Sequence, residues 1–332
     1  MRFSIVTPAY NAGKYIGEML DSIRCQSLYD WELMIVDDGS TDNTVDIIGS
    51  AALEDPRIHL LHLKENSGGC FQPRRVAIEE SRGEYVVNID ADDFVEKDFL
   101  LKLNTKIEET EAELVCTDMY ILNPGEAPHK ILPLIEDLYH HIWEGKSIFN
   151  HTLNKWDLSL NGVALRRNVA LQSLELYDKE FHKFDKWGGH HDENLSRIDL
   201  FLAPRVAFSD ASYFYRTVAD SITHQTSIKR FELLNADINL IKFTGRHFGE
   251  DSEEYRLSQA QLFHHVIEFI RYFNRNKKIK EFAEGEEILR NAFASIDRNA
   301  LRQHVSSRYR ILTSFGYRFT KSVLRVYSGD NG

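Results

Sequence analysis

The sequence predicts an α/β fold built on a parallel, doubly wound sheet. Two observations predict it. Short apolar runs alternate with segments of helical apolar spacing through the first hundred residues, and such alternation is the pattern of βα units. The runs are also nearly continuous in apolar character, as strands covered on both faces require.

The elements follow in order. Phe3-Ser4-Ile5-Val6-Thr7 is a first strand, ended by Pro8. Tyr15, Ile16, Met19, Leu20 and Ile23 place one apolar face on a helix within 13–27. Glu32-Leu33-Met34-Ile35-Val36 is a second strand. A helix over 41–53 follows, with Ser40 or Thr41 as its cap. Residues 58–63 form a third strand and 73–81 a third helix, which Gly83 closes as a C-cap. Residues 84–89 form a fourth strand. Helices over 98–111, 167–174 and around Leu195–Leu200 alternate with strands over 113–121, 161–165 and 208–215. From Ser227 onward the spacing is almost wholly helical, which sets a boundary near 225. The expected organisation is a domain over 1–225, split into halves 1–95 and 96–225, and a helical region over 226–332.

Composition narrows the function classes. The 332 residues are 42% hydrophobic and 27% charged, close to the soluble globular average. This excludes fibrous, largely disordered and disulfide-framework proteins. A net charge of −11 opposes phosphate backbones, so no nucleic-acid partner is expected. Cys25, Cys70 and Cys116 are sparse and without CxxC spacing, so each reads as small core filler in a reducing compartment. No signal-peptide h-region opens the chain, and no window approaches the about 20 apolar residues of a membrane span. A cytoplasmic protein is expected.

Open α/β sheets bind ligands beyond the carboxyl ends of their strands. Here those ends carry Pro8-Ala9-Tyr10-Asn11, Asp37-Asp38, Asn66-Ser67-Gly68-Gly69 and Asp90-Ala91-Asp92-Asp93. Asp90 and Asp92 are two residues apart; if the chain is still extended there they share a face and offer hard oxygens suited to Mg²⁺ or Mn²⁺. A lone DxD also reads as a turn with a helix cap; the neighbouring clusters favour the metal. Asp37 and Asp38 are acceptor-only when ionised and suit a ribose or nucleobase. Gly68 and Gly69 let the backbone approach a ligand closely. Arg74 and Arg75 stand at a helix start within reach of a diphosphate.

These motifs, in this order, resemble the N-terminal half of the family 2 glycosyltransferases, the inverting group with the GT-A fold. The resemblance rests on Val6–Asn11, Glu32–Asp42, Glu65–Gly69, Pro73-Arg74-Arg75, Gly83-Glu84-Tyr85 and Asp90–Asp93. Weaker matches continue through Asn161–Arg167, His191–Leu195, Tyr213–Arg216 and Ser221-Ile222-Thr223. The resemblance implies a mostly parallel GT-A sheet flanked by helices. It implies a nucleotide-diphosphate sugar donor, a UDP-sugar, held along Pro8, Ala9, Tyr10 and Asn11, with Asp38 at the base and Asp37 beside it. Gly68, Gly69, Arg74, Arg75, Asp90 and Ala91 complete that binding set. Asp92 ligates a divalent metal, Mn²⁺ or Mg²⁺, with Asp90 at ribose or metal. Arg75 stands where the family often has Asn. Transfer with inversion to a hydroxyl of a glycan or lipid-linked acceptor, in surface polysaccharide synthesis, then requires a general base. Asp192 takes that role, with Glu193 as the alternative one residue on.

Other residues carry weaker expectations. His224, after Ser221-Ile222-Thr223, could add a ligand to the metal or a contact to the diphosphate. His182, His190 and His191 read as loop histidines rather than a zinc site. Trp156 and Trp187 read as core packing before sugar stacking. Residues 301–332 hold Arg302, Arg308, Arg310, Arg318, Lys321 and Arg325 against Asp330 alone, interleaved with aromatics. That composition fits an interfacial helix on an anionic membrane surface, at the inner face of the cell membrane, or a helix packed on the rest of the protein. The alternative to an enzyme is a non-catalytic nucleotide-sugar-binding GT-A module, which would lose the metal or base carboxylates. A phosphoacceptor domain is rejected, because it needs its aspartate pair after the first strand.

Overall fold

The computed structural model describes residues 1–131, 138–153, 161–181, 191–217, 227–276, 282–306 and 316–327. The chain divides into two compact units. One comprises Met1–Phe149, Asp157–Lys179 and His191–Ser221; the other comprises Asn150–Trp156, Glu180–His190 and Ile222–Gly332.

The first unit is organised by a nine-stranded sheet. Strands β1 (Phe3–Ala9), β2 (Trp31–Asp37), β3 (Ile58–His62) and β4 (Tyr85–Asn88) run parallel in the order β3-β2-β1-β4. β2 is buried along its whole length, and β1 along all but one residue, as their apolar runs predict. Helix α1 (Ile16–Arg24) lays Ile16, Met19, Leu20 and Ile23 into the core, and α4 (Phe99–Thr110) does the same with Phe99, Leu100, Leu103 and Ile107. Between them stand α2 (Thr44–Glu54) and α3 (Phe71–Glu80).

Beyond β4 the sheet is mixed. β6 (Leu114–Leu122) and β9 (Val206–Arg216) are parallel to each other, whereas β8 (Ala164–Arg166) joins β4 to β6 antiparallel. Two short strands are not evident in the sequence: β5 (Phe94–Val95), antiparallel to β9, and β7 (His129–Ile131), on β6. At two and three residues they are too short to show periodicity. Helices α5 (Gly145–Ile148), α6 (Arg167–Glu180) and α7 (His191–Leu202) follow.

Three local expectations are corrected. Gly83 is not a C-cap, for Ser81 ends α3; instead a Cβ on Gly83 would lie 2.5 Å from the Ser4 nitrogen, so close strand approach requires the glycine. Ser40 and Thr41 do not cap α2. Asp42 accepts from the Thr44 N–H at 3.0 Å, freeing Ser40 and Thr41 for Asn11. Of the cysteines only Cys116 is buried; Cys25 is exposed and Cys70 half-buried.

The second unit is helical: α8 (Glu232–His247), α9 (Glu253–Asn276), α10 (Phe282–Ala294) and α11 (Tyr317–Tyr327). Phe231, Leu234, Phe263, Val266, Ile270, Leu289 and Leu324 form its core. The buried Asp237 accepts from Gln261 and pairs with His265 Nδ1, both at 2.7 Å, tying α8 to α9. In the basic tail, α11 buries Thr320 and Leu324. Lys321 pairs with Glu286 at 2.9 Å and lies over the Phe273 ring. Among the described residues no helix is long and apolar enough to cross a membrane.

Candidate active site

The sheet register brings the strand ends together. Ala9 is level with Asp37 and Asp37 with His62, while Val6 is level with Asn88. The loops that leave β1, β2, β3 and β4 therefore rise from one edge.

The first two loops interlock through Asn11. Its left-handed φ of 49° turns the chain sharply, a conformation Asn tolerates better than most residues. The Asn11 N–H donates to Ser40 Oγ at 2.9 Å, and Asn11 Oδ1 accepts from the Thr41 N–H at 2.8 Å. Tyr10 is left half exposed at the rim, beside the half-buried Pro8 and buried Ala9.

Asp37 and Asp38 divide their work. Asp37 accepts from the N–H groups of Gly39 and Ser40, at 3.2 and 3.3 Å, with His62 Nδ1 at 3.6 Å. Asp38 reaches the loop after β3: Oδ1 accepts from the Ser67 N–H at 2.7 Å and Oδ2 from the Ser67 hydroxyl at 2.9 Å. Asn66 Nδ2 donates to the Asp38 carbonyl at 2.8 Å. Gly68, at φ 87°, takes a conformation that a side chain would strain, and the Gly69 carbonyl accepts from Ser67.

The acidic turn after β4 is different. Arg74, nearly buried on α3, donates to Asp90 Oδ1 at 2.9 Å. The Asp92 carboxyl is pushed up from its ordinary value by burial and then by the charge of Asp90. Burial, with the Asp90 charge behind it, also raises the buried Asp93 carboxyl. Ala91 between them is buried. Mutual repulsion of carboxylates held close together is what a divalent cation relieves. The donor set is hard oxygen, so the residues present fit Mg²⁺ or Mn²⁺. Among the described residues no group of three or more His, Cys, Asp or Glu side chains could by itself hold a metal ion.

The structure separates the two arginines. Arg75 donates to both oxygens of Asp178 on α6, at 2.8 and 2.6 Å, so Arg74 alone of the pair meets the acidic turn. On α7, Asp192 stands in the first turn, its side chain outside the described residues. Glu193 faces the buried Arg197 at 3.7 Å. His182, His190 and His224, Trp156 and Trp187, and the His191 side chain also lie outside the described residues.

Two participants are not evident in the sequence. Ser67 lies within a strand-end cluster, but its bonds to Asp38 show only in the fold. Asp199, two turns into α7, is buried, and burial pushes its carboxyl up to about 7 while Ser173 and the charge of Arg74 hold it down. Nothing short of the fold brings α3, α6 and α7 together around it.

The sequence profile described as glycosyl transferase family 2 matches residues 4–170. This chain belongs to glycosyl transferase family 2. The glycosyltransferase GlyG of Streptococcus pneumoniae is 30% identical over 220 residues, covering 66% of this chain and 72% of GlyG. The poly(ribitol-phosphate) β-N-acetylglucosaminyltransferase TarS of Staphylococcus aureus is 26% identical over 272 residues, 75% of this chain but 44% of TarS. The chain thus spans less than half of that relative. The crystal structure of TarS residues 1–349 with UDP-GlcNAc superimposes with a TM-score of 0.67, at 19% identity, over 99% of this chain and 89% of that one. A mannosyltransferase from Pyrobaculum calidifontis with GDP-Man and Mn²⁺ gives a TM-score of 0.50 at 16% identity, over 99% and 88% of the two chains. The fold of this family 2 chain is GT-A, its sheet mixed beyond β4, with helices at the C-terminal end.

Proposed function

We propose that this family 2 glycosyltransferase moves a sugar, with inversion, from a UDP-sugar to a hydroxyl of a glycan or lipid-linked acceptor in surface polysaccharide synthesis. The acidic turn carries the reading: Asp90 and Asp92 stand beyond β4 with Arg74 against Asp90, on the edge where Asp38 closes on the loop after β3. TarS, crystallised with UDP-GlcNAc, supports the donor class, and the Mn²⁺ complex of the mannosyltransferase supports the metal.

Tyr10, Asn11, Asp37, Asp38 and the Gly68-Gly69 backbone would hold the nucleoside. Asp92 and Asp90 would hold Mn²⁺ or Mg²⁺, which when bound would supply positive charge to stabilise the departing diphosphate. His224 is a further candidate ligand. Arg74, now on Asp90, would share the diphosphate charge. The sugar carbon takes on oxocarbenium character as its bond to phosphate breaks. The acceptor hydroxyl attacks from the opposite face, and Asp192 takes its proton.

A donor screen reading released nucleoside diphosphate tests this, with acceptor extracts from the source cell. Asp192→Asn should keep nucleotide binding and lower kcat by about 10²–10⁴-fold. Glu193→Gln giving that phenotype in its place would move the base by one residue. Nucleotide binding with no acceptor-dependent release from any donor would leave the binding module instead.

We also propose that the tail favours an anionic membrane surface through exposed arginines such as Arg302 and Arg318. Replacing both with Ser in the full chain should weaken co-sedimentation with anionic vesicles by about 2 kcal/mol at low salt. A wild-type chain that ignores such vesicles would refute the membrane role.

A further inference from the structure

Besides Arg74 on α3, the strand β9 holds the acidic turn. Tyr213 on β9 is fully buried, and its hydroxyl donates to Asp93 Oδ2 at 2.5 Å while accepting from the Asp90 N–H at 3.3 Å. Three residues on, the Arg216 N–H donates to Asp93 Oδ1 at 2.8 Å, and Arg216 Nε donates to the Asp92 carbonyl at 2.9 Å. The far side of the same guanidinium reaches Glu18 on α1 at 2.5 Å and lies over the rings of Tyr15 and Phe94. β5 then continues the grip, pairing Phe94 with Phe214 and Val95 with Tyr213.

Room for this contact is made by Gly162. A Cβ there would stand 2.5 Å from Tyr213 Cδ2, and its φ of +67° suits glycine. Asp93 is only 1% exposed, with both carboxylate oxygens engaged. Of the three aspartates it is therefore the one turned inward, as an anchor.

We propose that Tyr213 and Arg216 are positioning residues that fix the Asp90–Asp93 turn, so that Asp90 and Asp92 meet the donor diphosphate and its cation in one geometry. The proposal rests on the metal reading of that pair. A phenol has one proton and few lone pairs, and Tyr213 spends them on the carboxylate of Asp93 and the amide of Asp90. Tyr213→Phe removes both links while keeping the ring that fills the space beside Gly162. Arg216→Lys keeps the backbone donor to Asp93 and loses the Nε bond to Asp92.

The test compares wild type, Tyr213→Phe and Arg216→Lys as full chains. Readouts are Mn²⁺ titration of turnover, metal-free UDP affinity, and amide hydrogen exchange of residues 88–95. Tyr213→Phe should raise half-saturating Mn²⁺ and lower kcat by about 10–100-fold, as outer-shell partners of metal ligands do. Exchange in 88–95 should quicken, and metal-free UDP affinity should hold. Arg216→Lys should shift the same readouts less, and it decides the matter if Tyr213→Phe does not fold. Unchanged exchange in 88–95 with unchanged Mn²⁺ half-saturation would overturn the proposal. Wild-type turnover undiminished in EDTA would instead overturn the metal reading, and the exchange of 88–95 would still score whether Tyr213 holds the turn.

Discussion

Two aspartate clusters stand on the same sheet edge, and their surroundings are opposite. Asp37 and Asp38 are met by donors: the amides of Gly39, Ser40 and Ser67, and the Ser67 hydroxyl. Asp92 is met by burial and by the charge of Asp90, which raise it. The first pair is a frame that the fold has already satisfied. In the second, Arg74 meets Asp90 at 2.9 Å, while Asp92 is raised by burial and by that neighbouring carboxylate, the repulsion that a cation relieves. Similar residues at similar strand ends thus have different surroundings, and on the proposed reading they serve different chemistry.

That contrast is most exposed to Asp92→Asn. Turnover in Mn²⁺ should fall by about 10²–10³-fold. Without metal the melting temperature should hold or rise, because the variant removes a charge that burial disfavours. Nucleoside diphosphate release and a thermal melt measure the two effects. A variant with full activity in EDTA would break the distinction.

Asp38→Ala should behave in the opposite sense. It strips the acceptor from the Ser67 amide and hydroxyl and should cost about 1–3 kcal/mol of stability. Donor KM should rise while half-saturating Mn²⁺ stays put. If the melting temperature instead rises, the two clusters are alike.

Asp199 sharpens the comparison, being an acid more deeply buried than Asp92 and near the cation Arg74. Burial raises its carboxyl to about 7 in the folded chain, against about 3.9 in an unfolded one. The folded state therefore favours the protonated form. The stability this contributes is present at low pH and is lost as pH rises through about 7. Wild type should lose more melting temperature between pH 5 and pH 8 than Asp199→Asn does. Parallel melting curves across that range would place the proton elsewhere.

Much of this was legible because it is local. Apolar runs gave β1 to β4, and i, i+3, i+4 spacing gave the buried face of α1. The strand-end motifs carried the family because their order survives in sequence. What joins them is not local. Ser67 meets Asp38 across 29 residues, and Tyr213 meets Asp93 across 120. Nothing in either stretch announces its partner. Arg74 and Arg75 are neighbours of equal charge in sequence, and only the placement of α6 sends one to Asp178 and the other to Asp90. The basic tail reads as amphipathic from composition, yet Leu324 and Thr320 are spent inside the helical unit.

The central claim is that the turn after β4 joins a divalent cation to a nucleoside diphosphate. Calorimetric titration of UDP into the full chain, with and without Mn²⁺, tests it most directly, in wild type and in Asp92→Asn. Mn²⁺ should tighten UDP binding in wild type by at least about tenfold, roughly 1.4 kcal/mol, and should do little in Asp92→Asn. Equal UDP affinity with and without Mn²⁺ in wild type, or equal tightening in both chains, would contradict it.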